Sequence, residues 1–91
     1  MTVTTVITLV INVPFSEWVK AFDSDLAEER HAEFGIKPLN RGVSKEDPSK
    51  IVVIHQAPEG ATESFMGKYA EWIASHGIDL TSAQPSEWLS A

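Results

Sequence analysis

At 91 residues the chain has room for one domain, 1–91, and with no cysteine it excludes disulfides, thiolate metal sites and a cysteine nucleophile. Its formal net charge is −6, and six acids fall between Glu17 and Glu33 against only Lys20 and Arg30. Such a surface repels phosphate backbones and anionic membranes, so nucleic acid and membrane are excluded as partners.

The first predicted element is a strand over Val3 to Val13, rich in the β-branched residues that suit a pleated surface. Alternation puts Val3, Thr5, Ile7, Leu9, Ile11 and Val13 on one face, and Val6 and Val10 among threonines on the other. This apolar start lacks the basic residues of a secretory signal and is too short to span a bilayer, so it reads as a strand and the protein as cytoplasmic. Pro14 stops the strand, and Ser16 offers an N-cap. Phe15, Val19, Phe22 and Leu26 then recur at helical spacing, with Trp18 beside them. The spacing predicts one long helix or two short ones across Ser16 to Phe34, divided at Asp23–Asp25, with Gly35 as the stop.

Ile36 to Ser44 is a second strand, demoted to an edge by Pro38. A turn at Asp47-Pro48 leads to the third strand, Ile51 to Ala57, whose "IVVI" is the mark of a strand covered on both faces. Ala61, Phe65, Met66, Tyr69, Trp72 and Ile73 then predict one amphipathic helix ending at Gly77. A short last strand over Ile78 to Ala83 precedes a tail whose Trp88 and Leu89 are expected to dock.

The order β-α-β-β-α-β is the split βαβ, an α+β ferredoxin-like arrangement with the first and third strands in the centre of a four-stranded antiparallel sheet. Two helices cover one face of such a sheet. Val6, Val10 and half of "IVVI" point to the other, and an apolar face of that kind marks an interface. The expected partner is a second copy of the same chain, sheet against sheet, in a homodimer.

The pattern "PFSEWVKAFDSDLAEERHAEFGI", then "VSKEDPSKIVVIHQ" and "ATESFMGKYAEWI", resembles the dimeric α/β-barrel superfamily. Trp18, Phe22-Asp23, Arg30, Gly35 and Asp47-Pro48 bring it nearest to a small bacterial family without an assigned function. The resemblance runs from about Val3 to Ile78 and implies the fold and the dimer. Relatives in the superfamily include cofactor-independent monooxygenases of antibiotic biosynthesis, polyketide cyclase-like proteins and haem proteins of the chlorite dismutase type. No catalytic signature of theirs maps onto residues here, and fold alone does not carry function.

Among candidate residues, His55 ends the central strand and is expected at the space between subunits, where an imidazole suits proton transfer. A strand-end histidine bonded to backbone or water is the plainer reading. Arg41 on the edge strand suits a carboxylate ligand or an ion pair across the dimer. Arg30 and His31, near a helix C-terminus, have a sufficient structural role there and are candidates for a cavity mouth. Trp18, Tyr69 and Trp72 are candidate aromatic walls for an apolar ligand, or simply core. His31 with Glu28 or Glu33 lacks a second histidine at ligand spacing, so no metal site is expected, and no cofactor.

Two functions compete. One is binding of an apolar or aromatic small molecule between sheet and helices, or self-assembly alone. The other is a cofactor-independent monooxygenase or cyclase/isomerase with His55 as acid/base, for which a cavity of several hundred Å³ lined by His55 and an arginine is the expected sign.

Overall fold

A computed structural model describes residues 1–89. The elements run β1 (Thr2–Ile11), α1 (Phe15–Phe22), α2 (Asp25–Glu33), β2 (Lys37–Val43), β3 (Lys50–Pro58), α3 (Ala61–Lys68), α4 (Ala70–Ser75) and β4 (Ile78–Leu89). The four strands form one sheet in the order β2-β3-β1-β4, every neighbouring pair antiparallel. This is the ferredoxin-like α+β arrangement, with the two doubly apolar strands at its centre.

Register decides which side chains share a face. Thr5 lies opposite His55, Ile7 opposite Val53 and Leu9 opposite Ile51, and these point under the helices. Trp18 of α1 completes that core with Ile11. A second cluster, Ile36, Ala57 and Phe65, lies toward the other end of the sheet. On the opposite face, Val6 lies between Ile54 and Ser86, and Thr8 between Val52 and Gln84. No helix covers these residues, and all stay at least partly exposed.

The first helical region is divided as the Asp23–Asp25 segment suggested, and Ser24 is the cap. Its Oγ accepts from the Ala27 N–H at 3.2 Å. The first helix starts at Phe15 after Pro14, with no side-chain cap, so Ser16 does not serve as one. The second helical region, expected as one helix, bends at Tyr69, whose φ of −110° and ψ of 23° leave the helical well between α3 and α4.

The tail departs most from expectation. Instead of docking, residues past Ala83 continue β4 to Leu89, with Trp88 opposite Thr4 and Leu89 opposite Val3. Trp88 and Leu89 remain 61% and 68% exposed. Pro85 is compatible with this strand because β4 is an edge and its outer side has no ladder to supply.

Candidate functional site: a cavity beneath the helices

Two buried polar side chains sit on the helix-facing side of the central strands. Thr5 is 1% exposed and His55, its cross-strand partner, 5%. Two-residue alternation puts His55 on the same face as Ile51 and Val53, so it points into the space beneath the helices and away from the open sheet face. The expectation that it borders a space between subunits is thereby corrected. Gly60, at φ 84°, turns the chain from β3 into α3. The first turn of α3 then brings Thr62 over the strand end, where its Oγ1 and His55 Nε2 share a 2.8 Å hydrogen bond.

His31 reaches the same space from α2, and the end of that helix fixes it. The Ile36 N–H donates to the His31 carbonyl at 2.9 Å and the Gly35 N–H to the Ala32 carbonyl at 3.0 Å. With Gly35 at φ 70°, this is a Schellman termination, in which a glycine takes the left-handed position. The His31 ring lies between Phe22 and Phe65, with centroids 5.4 and 5.0 Å away. It is 7% exposed, and its Nδ1 has no hydrogen-bond partner. The Thr5 hydroxyl is likewise buried without one. Burial lowers the pKa of His31. Burial first, and His31 second, hold His55 at about 4. Both rings are therefore neutral at pH 7.

Between sheet and helices is a cavity of about 80 Å³, walled chiefly by aromatic and aliphatic side chains, Trp18, Phe22, Phe65 and Trp72 among them. His31, His55 and His76, all the histidines of the chain, line it. Its described lining contains no Asp, Glu, Lys or Arg. Among the described residues no three ligating groups come close enough to share a metal ion.

The other sequence candidates are placed around this cavity. Trp18 and Trp72 line it, and Trp18 also belongs to the buried core. Tyr69 lies outside, where its hydroxyl and Lys68 Nζ both donate to Glu33. Those two bonds hold the Glu33 carboxyl below the usual carboxylate range. Arg30 stands over both Tyr69 and Trp72, 4.5 and 4.6 Å from the ring centroids, clamping α2 to α4 from above. Arg41 lies outside the cavity and pairs with Asp23 of its own chain, both side chains partly exposed.

Thr62 and Phe65 escaped the sequence reading as site residues. Thr5, the one hydroxyl on the otherwise apolar face of β1, lies buried opposite His55 and outside the lining. Thr62 is legible only once the tight turn after β3 is known.

Solved structures share the fold, and three of them illustrate it. A NIPSNAP family protein from Agrobacterium tumefaciens aligns over 100% of this chain and 94% of its own, with a TM-score of 0.65 and 18% identity. A putative antibiotic biosynthesis monooxygenase from Nitrosomonas europaea aligns over 98% and 89%, with a TM-score of 0.57 and 11% identity. Another Agrobacterium tumefaciens protein aligns over 100% and 94%, with a TM-score of 0.55 and 14% identity. At these identities the likeness is one of fold. No curated protein matches the sequence. The family pattern of DUF3764, a domain of unknown function, matches residues 1–90, and the chain belongs to that family.

Proposed function

We propose that the protein is a cytoplasmic homodimer that binds a compact, uncharged, apolar or aromatic molecule between its sheet and helices. The observation that carries this reading is the uncharged, aromatic-walled cavity with the unpartnered His31 Nδ1 at its edge. A buried polar atom without a partner costs about 1–3 kcal/mol, which a ligand with one hydroxyl or carbonyl group relieves. At about 80 Å³ the space is about half the roughly 150 Å³ that holds benzene, so a single ring is the upper limit and enters only if the walls yield or part of it stays outside. Pairing of subunits is supported by the open sheet face, where Val6, Val52 and Ile54 lie in register with no helix above them. Trp88, opposite Thr4, extends that face.

The alternative, a cofactor-independent monooxygenase or cyclase/isomerase with His55 as acid/base, is favoured by the unprotonated imidazole inside the cavity. Against it stand the small volume, the lack of a lining arginine and a His55 pKa of about 4, too low for effective proton abstraction near neutrality. The binding reading is the stronger.

Benzyl alcohol, one ring with one hydroxyl, is a suitable probe, read by the emission of Trp18 and Trp72. Saturable quenching is expected in the wild type and its loss in Ala21→Leu, which fills the cavity wall. Superimposable titrations of the two proteins would sink the reading.

A further inference from the structure

The cavity beneath the helices has one incomplete side. Its partly exposed walls include Ala21 of α1, Trp72, Ile73 and His76 of α4, and Ile78 at the start of β4. Along α2 the helices are tied across the top of the cavity. Arg30 stands over Tyr69 and Trp72, and Glu33 accepts from Lys68 and Tyr69. The mouth lies on the other side, between α1 and the turn from α4 into β4.

His76 is the imidazole at that mouth. Among the histidine and threonine side chains of the lining, His31, His55 and Thr62 are buried, and His76 is partly exposed. Its backbone is fixed at the end of α4. The His76 N–H donates to the Ile73 carbonyl at 3.1 Å, and the carbonyl of the next residue, Gly77, accepts from the Asn12 N–H at 2.8 Å. The ring rests against Trp72, centroids 5.2 Å apart and planes at 88°. The one histidine side-chain hydrogen bond among the described residues is that of His55, so the nitrogens of His76 are open to a ligand.

Volume decides what reaches His76. At about 80 Å³ the cavity is about half the roughly 150 Å³ that holds a benzene ring, so part of any ring-sized ligand is left at the mouth. We infer that the ligand is an elongated amphiphile, an aryl or alkyl group ending in a hydroxyl, and that His76 selects it by hydrogen-bonding that head at the mouth. The inference rests on the binding reading above and adds to it the ligand class and the residue that recognises it. The head is neutral because no Asp, Glu, Lys or Arg lines the cavity to pair with a charge. Arg30, outside the lining, is stacked over two rings. An accessible hydrogen bond of this kind separates a hydroxyl from a methyl group by about fivefold in affinity.

The test compares 3-phenylpropan-1-ol with butylbenzene, in which a methyl group replaces the hydroxyl, by titration of tryptophan emission. The readout is the ratio of the two Kd values in the wild type, His76→Phe and His76→Gln. His76→Phe keeps a ring beside Trp72 and removes the nitrogens, and the preference for the alcohol is expected to fall about fivefold. His76→Gln retains a donor and an acceptor and is expected to keep most of that preference. The position is partly exposed, so both variants are expected to fold. A ratio unchanged in His76→Phe, or lowered as far in His76→Gln, would overturn the role of His76 while leaving binding intact. Tighter binding of 3-phenylpropanoate than of the alcohol would overturn the neutral head. A wild type that binds neither the alcohol nor the hydrocarbon overturns the binding reading and this inference with it.

Discussion

The two faces of the central strands are built from similar residues and meet different surroundings. Beneath the helices, Ile7, Leu9, Ile51 and Val53 are buried, and the polar exceptions Thr5 and His55 lie among them. On the other side, Val6, Val52 and Ile54 are only partly covered, and Val10 is 39% exposed. Hydrophobic sequence thus marks both faces alike. The polar exceptions tell them apart: the face with a hydroxyl and an imidazole at its centre is the one that borders a cavity, and the face with only threonines between its valines is suited to a flat contact.

The comparison breaks first if the open face is not an interface. Lysines at Val6 and Ile54 together place two charges where a partner sheet is proposed, and sedimentation is expected to show complete conversion from dimer to monomer at micromolar concentration. A wild type that sediments as a monomer would sink the pairing of subunits.

The covered face should be the more sensitive to truncation. Trp18→Ala removes a core side chain that is 3% exposed and is expected to cost about 4 kcal/mol in denaturant unfolding. A cost near that of an exposed site would mean the helices are loosely seated.

Acid sharpens the contrast further. His55 titrates at about 4 when folded and near 6.5 when unfolded, so the unfolded chain takes up the proton first. The stability that comes from keeping it neutral is fully present above pH 6.5 and is lost as pH falls through 4. The loss is on the order of 2 kcal/mol after allowance for partial solvation, beyond that of a His55→Gln variant measured in parallel. Equal pH profiles for the two proteins would remove His55 from the account.

The smallest effect is expected at the rim. Arg41→Ala breaks an exposed ion pair with Asp23 and should change stability by less than about 1 kcal/mol.

Most of the fold was legible because its signals are local. The period of two in β1, the unbroken "IVVI" of β3 and the glycine at 35 each report on backbone geometry within a few residues. The interruption at Tyr69 was not legible, since Lys68, Tyr69 and Ala70 all suit a helix, and neither was the extension of β4 through a proline to Leu89. The latter depends on β1 offering a ladder to its whole length, which no property of "QPSEWL" announces. The site was half legible. Trp18, Trp72, His31 and His55 were singled out by type. That they meet in one cavity depends on the register of β1 against β3 and on the turn at Gly60, facts about pairing that one strand read alone does not hold.

The strand order also sets a timetable for folding. β1 is made first but finds hydrogen-bond partners only in β3 and β4, which begin at Lys50 and Ile78. On a ribosome, ten residues of "TVTTVITLVI" wait through the synthesis of two helices and an edge strand before either neighbour exists. Nascent chains therefore carry their most aggregation-prone segment unpaired for longest, and folding is paced by a long loop closure rather than by the local helices.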